Sequence, residues 1–293
     1  MFHFVRQRKY WYLISLLIIV PGIISLLFRG LNLGIDFTGG SLVEVQFQKE
    51  VSVQEVRAVL TGHGLERSVI QLSGDRQVLI RTGVITETQN QTMIESLGKE
   101  VGTLTVLRNE AVGPVIGKEL AQRAILALLA AAVAIVVYIS WRFEFKQGLA
   151  AIVALLHDAL ITIGIFSLFS IQVDSAFVAA ILTILGYSIN ATIVIFDRIR
   201  ENAKSAKKTE TLEDVTNRSL WETLARSINT SVTVMFMLLA LFFLGGATLK
   251  AFVLALMIGV VSGTWSSIFI AGPVWLDLRK RLPRSKRPAG ARA

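Results

Sequence analysis

The chain has 293 residues, of which 53% are hydrophobic and only 17% charged, and its formal net charge is +9. That balance excludes a disordered chain and argues against an ordinary soluble domain; an apolar yet basic chain is either a nucleic-acid binder or a membrane protein with charged flanks. With no cysteine there are no disulfides, thiolate metal sites or cysteine nucleophiles, and three scattered histidines (His3, His63, His157) argue against a histidine metal centre.

Residues 10–28 (YWYLISLLIIVPGIISLLF) carry no charge and are about long enough to span a bilayer. They follow Arg6, Arg8 and Lys9. A signal peptide would look similar, but apolar residues continue past Pro21 and Gly22 and no small-x-small cleavage site follows, so a retained anchor is expected. From residue 31 to about 118, charges return. Residues 41–48 alternate as a half-buried strand, and residues 52–60 read as a helix opened by a Ser52/Glu55 capping box. Strands at 68–72 and 77–81, a helix at 86–101 and a strand at 103–108 complete a β-α-β-β-α-β order. That order predicts a small ferredoxin-like domain.

Five more apolar segments follow, at about 120–139, 149–169, 177–196, 232–244 (with an earlier start) and 252–275. The expected fold is therefore an α-helical membrane protein with six transmembrane helices and one small α+β domain. Its expected parts are the flank and first span (1–30), the domain (31–118), the bundle (119–276) and a basic tail (277–293). A polar segment at about 197–229, expected as a cytoplasmic loop, interrupts the bundle, and Pro283 and Pro288 mark the tail as disordered. Lys and Arg set the orientation. They crowd the N-terminus, residues 142–146, residues 198–226 and the tail, whereas the two short opposite loops hold only Lys250. Both termini are thus expected in the cytoplasm and residues 31–118 outside. The charge is an orientation signal, and no nucleic acid is expected as a partner.

Polar groups inside apolar helices are costly and are functional candidates by default. His157 and Asp158 lie mid-way along the third span (LLHDALITIGIF), where an ionised carboxylate needs a partner or water, or takes up a proton. Asp158 is read either as a proton-binding group or as a helix–helix tie. In the fourth span, Gly186 would admit another backbone, and Asn190, one turn on, could hydrogen-bond across that contact. Tyr187 and Ser188 lie between them. Asp197, Arg198 and Arg200 read as a charged cluster at the membrane surface. Arg226 would lie near one turn inside the membrane if the fifth helix starts early, within reach of Asn190 and Ala191; otherwise it is a positive flank. Gly259 and Gly263 form a GxxxG pattern, followed by Ser266 and Ser267, that marks close helix packing. Outside, Asp36, Gly39 and Gly40 sit in a glycine-rich turn that fails as a phosphate loop. No hydrolase motif is present, and neither cofactor, metal nor enzymatic activity is expected.

Together, NLGIDFTGG (32–40), His157-Asp158, GYSINATIVIFDRIREN (186–202), FLGG (243–246) and the Ser/Gly-rich last helix resemble the SecF side of the SecD/SecF family over nearly the whole chain. The resemblance implies six spans with an extracytoplasmic domain between the first two, in a bacterial inner membrane. It implies pairing with SecD in a unit similar to resistance–nodulation–division transporters. It also implies proton-driven assistance to unfolded preproteins leaving the SecYEG channel, with YajC and YidC as further neighbours. In this family an aspartate normally follows the asparagine of the fourth-span motif and works with an arginine that Arg226 matches. Here that position is Ala191, which can neither bind a proton nor pair with Arg226. Either the residue was engineered, which the intact surrounding motif favours, or the chain relies on Asp158 or on SecD; impaired proton-coupled export is expected. The alternatives are a proton-coupled small-molecule exporter and a non-transporting scaffold.

Overall fold

The computed structural model describes residues 2–207 and 209–281. It divides into two units, one gathering the long helices and the other formed by residues 32–128 and 172–178.

In the second unit, β1 (Asn32–Leu33) runs parallel to β6 (Gln172–Val173), and a single helical turn, α2 (Ile35–Thr38), follows β1. The four-stranded antiparallel sheet has the order β3-β4-β2-β5, from β2 (Gly40–Phe47), β3 (Val69–Ser73), β4 (Gln77–Thr82) and β5 (Leu104–Val112). Alternation works as expected: Val43, Val45 and Phe47 of β2 meet Val78 and Ile80 of β4 in one core under two helices. These are α3 (Val53–Gly62), which supplies Val56 and Leu60, and α4 (Glu87–Ser96), which supplies Met93. Ser52 and Glu55 form the expected capping box, and Thr86 with Gln89 forms a second.

Among the described residues six helices are long and apolar enough to cross a membrane. They are α1 (Arg8–Arg29), α5 (Pro114–Arg142), α6 (Phe145–Leu168), α7 (Ser175–Lys204), α8 (Leu212–Leu244) and a last span, Lys250–Lys280. The last span comprises α9 (Lys250–Ser266), a π-helical stretch at Ser267–Ala271 and α10 (Gly272–Arg281). In α1 and α6, Gly22 and Gly164 meet backbone to backbone; a Cβ on Gly164 would lie 2.9 Å from the Gly22 Cα. Ser25 and Ser167 hydrogen-bond beside that crossing at 2.9 Å.

Two expectations fail. The polar segment at 197–229 is not a loop, because α7 continues to Lys204 and α8 already begins at Leu212, behind a Thr211/Asp214 capping box. Polar residues there bond between the two helices: Asn202 donates to Ser219 at 3.0 Å and Arg198 pairs with Glu222 at 2.5 Å. The tail is helical as far as Arg281, held by Arg8 and Tyr12 on Asp277 and by Lys280 on Glu213. The remainder of the expected disordered tail lies outside the described residues.

Candidate functional site

The helical unit is built around Asp158. Its carboxylate is 0% exposed, about midway along α6, where an uncompensated charge would be costly. Three helices answer it. Ser188 of α7 and Ser266 of α9 donate to Oδ2 at 2.5 and 2.7 Å, and Ser262 of α9 donates to Oδ1 at 2.7 Å. His157 Nδ1 completes the cage on Oδ1 at 2.9 Å. Spacing explains the geometry: Ser262 and Ser266 are one turn apart on one face of α9, so both hydroxyls reach the same carboxylate. Gly263, on that turn, brings α9 close to α7, since a Cβ there would lie 3.1 Å from the Ser188 Cβ.

His157 links the cage to α1. Its Nε2 lies 2.8 Å from the Ser15 hydroxyl, which also accepts from Trp265 Nε1 at 3.2 Å. A carboxylate accepts hydrogen bonds, so Nδ1 carries a proton and donates. Ser15 serves either state of the ring: it donates to a neutral Nε2 and accepts from a protonated one. Ser15 and Ser262 also line an apolar cavity of about 480 Å³ among α1, α6, α8 and α9, whose other walls include Ile161, Met235, Met257 and Val261. The cage therefore borders an open space.

The second group of expected residues meets elsewhere. Tyr187, Asn190 and Ala191 of α7 share a pocket of about 150 Å³ with Arg226 and Thr230 of α8. Arg226, expected either near Asn190 and Ala191 or as a positive flank, lines the same pocket as those two residues. The two groups are separate: neither Asn190, Ala191 nor Arg226 contributes to the bonds around Asp158.

Other expected roles come out differently. Gly186 has nothing within 4 Å of where a Cβ would sit among the described residues, and the Asn190 side chain makes no hydrogen bond to another described residue. The α9 glycines do pack closely, as their spacing predicts: Gly259 on Ile184 and Gly263 on Ser188. Asp197 pairs with Arg142 of α5 at 2.8 Å, and Arg198 bridges Glu201 and Glu222, while Arg200 is exposed. Asp36 accepts from the backbone N–H of Ser175 at 2.9 Å and from the Ser175 hydroxyl, tying the turn to the first residue of α7. Gly39 and Gly40 have φ of 75° and 130°, and a Cβ on Gly40 would strike the Thr82 carbonyl. Nearby, burial lifts the Asp174 carboxyl above the usual carboxylate range, against a backbone bond from Phe177 that lowers it.

Sequence reasoning missed Ser15, Ser262 and Trp265, because a lone serine or tryptophan in an apolar helix is ordinary until its neighbour is known. The α1–α6 glycine crossing was equally hidden, its two glycines lying far apart in the chain.

Comparison with known proteins gives a consistent family. The profile of "Protein export membrane protein SecD/SecF, C-terminal" matches residues 89–281, and that of the SecD/SecF GG motif matches residues 24–51. The chain is 43% identical to protein translocase subunit SecF of Acidaminococcus fermentans, covering 97% of this chain and 99% of that one. It is 44% identical to the same subunit of Thermobaculum terrenum, covering 92% of each. A crystal structure of SecDF, a translocon-associated membrane protein from Thermus thermophilus, superimposes with a TM-score of 0.88 at 35% identity. The alignment covers 96% of this chain, which spans 39% of that longer one.

Proposed function

The chain belongs to the SecD/SecF family of protein-export membrane proteins, and from that premise we propose that it is the SecF-type subunit of an accessory complex of the Sec translocon. It works with SecD beside SecYEG in the bacterial inner membrane, with YajC and YidC as neighbours, and it promotes passage and release of unfolded preproteins. Both termini are cytoplasmic, and residues 31–118 form the outer domain. The strand order β3-β4-β2-β5 with two helices on one face supports the ferredoxin-like reading of that domain. The role is transport rather than catalysis.

Asp158 carries the proton in this chain, where Ala191 cannot. One observation supports this most: a 0% exposed carboxylate sits about midway along α6, a helix long and apolar enough to span a membrane, held by donors from α7 and α9 and by His157. Ionised Asp158 draws the four donors together. A proton entering by Ser15 and His157 neutralises it and weakens those bonds, which loosens α7 and α9 from α6. Because α7 begins at the Ser175–Asp36 contact, this loosening has a route to the outer turn.

The 480 Å³ apolar cavity favours a second reading, a proton-coupled exporter of small apolar molecules, since it falls within the ~300–1,000 Å³ of ligand pockets. Purification from native membranes separates the two. Recovery of SecD and SecYEG with the chain is the expected result; recovery of a periplasmic adaptor without them would overturn the translocon reading.

A further inference from the structure

We propose that the aromatic rings stacked between α1 and the last span form a gate beneath the Asp158 cage, on the side where Arg8 meets Asp277 and both termini lie. Its role rests on Asp158 as the proton carrier: the gate keeps that proton from passing straight through. Trp265 Nε1 donates to Ser15 at 3.2 Å, at the far end of the bonds that run through His157 to Asp158. Trp11 lies one turn before Ser15 on α1, about 6 Å nearer the termini. Its ring centroid is 5.7 Å from that of Trp265 and 4.7 Å from that of Phe269, and the Trp265 and Phe269 rings are 4.5 Å apart. Phe4 closes the stack from below, 5.7 Å from Phe269 and 5.1 Å from Trp221.

The segment ahead of α1 is pinned under these rings. Asn217 of α8 accepts from the Phe4 backbone N–H at 2.8 Å and donates to the Phe2 carbonyl at 3.2 Å. Phe4 and Val5 are buried in one apolar cluster with Ala154, Leu155, Ile268 and Ala271. The indole N–H groups are all engaged: Trp11 donates to the Phe4 carbonyl, Trp221 to the Phe2 carbonyl and Trp265 to Ser15, so the stack offers water no free donor. On the other side of the cage, Ser15 and Ser262 border the 480 Å³ cavity. The cage is thus closed towards the termini and bordered by open space away from them. The stack also has a moving part. Phe269 sits at the middle of the π-helical stretch Ser267–Ala271, and Ser266, just before that stretch, donates to Asp158. Such π-turns are rare and concentrate at functional sites. Rewinding this one to α-helix turns the backbone by about one residue, roughly 100°, and carries Phe269 away from Trp11. Protonation of Asp158 weakens the Ser266 bond and frees that turn, so the gate opens once the proton is aboard.

The test uses the full chain, extracted from native membranes with whatever co-purifies and reconstituted into vesicles that hold a pH-sensitive dye. After an external acid jump, vesicles with the unmodified chain should hold the gradient. Phe269→Ala should collapse it at least tenfold faster. Phe4→Ala, which leaves the last span untouched, should do the same and serves alone if Phe269→Ala fails to fold. Adding Asp158→Asn to a leaking variant should restore the unmodified rate, because the leaking protons travel through the cage. A gradient held equally well by the folded ring variants would overturn the gate, and so would a leak that survives Asp158→Asn. If export is lost in the Asp158→Asn single variant while the ring variants hold the gradient, the gate alone falls; normal export by that single variant would instead overturn the carrier reading on which the gate depends.

Discussion

Replacing Asp158 separates a proton carrier from a structural tie. Three of its four hydrogen bonds cross between helices, from Ser188, Ser262 and Ser266. Interhelical bonds inside membranes contribute about 0.6 kcal/mol on average and up to about 1.7 kcal/mol. Asp158→Ala should therefore cost about 2–5 kcal/mol, in line with the cost of breaking a buried ion pair. Ser188→Ala, Ser262→Ala and Ser266→Ala should each cost about 0.6–1.7 kcal/mol. Asp158→Asn keeps the shape and two acceptor lone pairs, and the serine hydroxyls can rotate to accept from its amide. It should cost no more than about 1–3 kcal/mol and leave a folded protein. Yet it cannot take up a proton. Thermal melts of the five variants in detergent give the stability series, and preprotein export into energised vesicles gives the function. The expected result is a folded Asp158→Asn protein in which gradient-dependent export falls at least tenfold. Normal export by that variant would refute the proton-carrier reasoning and leave Asp158 as a packing tie.

Ala191→Asp restores a titratable group beside Arg226 and should raise gradient-dependent export above that of the unmodified chain; no gain in vesicle assays would contradict the impairment ascribed to Ala191. Gly164→Leu should prevent α1 from docking on α6, because the crossing has no room even for a Cβ, whereas Gly186→Ala should leave the melting midpoint unchanged or slightly raised. The two midpoints, measured side by side, check this. Burial holds the Glu44 carboxyl above the usual carboxylate range, against the pull of Arg108 and a hydrogen bond from Gln77. The folded chain keeps that proton to a higher pH than the unfolded chain does, so stability declines as pH rises from the ordinary carboxylate range through the raised value. Glu44→Gln should remove the decline, visible as a flatter midpoint–pH curve.

Much of this was legible because the bilayer imposes strong patterns. Long uncharged apolar runs read as spans, and alternation at 41–48 placed Val43, Val45 and Phe47 on one core face. Asp158 stood out because carboxylates are rare at such depth. Its partners did not, since Ser188, Ser262 and Ser266 converge only through the packing of α6, α7 and α9. The ends of α7 and α8 were misread for a related reason. Their polar residues look like a solvated loop in sequence, but cross-helix pairs such as Arg198–Glu222 and Asn202–Ser219 extend both helices. Gly259 and Gly263 pack closely as their GxxxG spacing predicts, whereas Gly186 meets no close neighbour among the described residues. A glycine's neighbour is set by helix rotation, which spacing along one segment leaves undetermined.

Coupling of proton movement through Asp158 to preprotein export by a SecF-type subunit can be measured in proteoliposomes. These hold the translocon and the partner subunit, with this chain or its Asp158→Asn variant, under an imposed pH gradient. The unmodified chain should stimulate preprotein release, the stimulation should vanish when the gradient is collapsed, and Asp158→Asn should give none in either condition. Equal stimulation with the gradient present and collapsed would contradict that coupling.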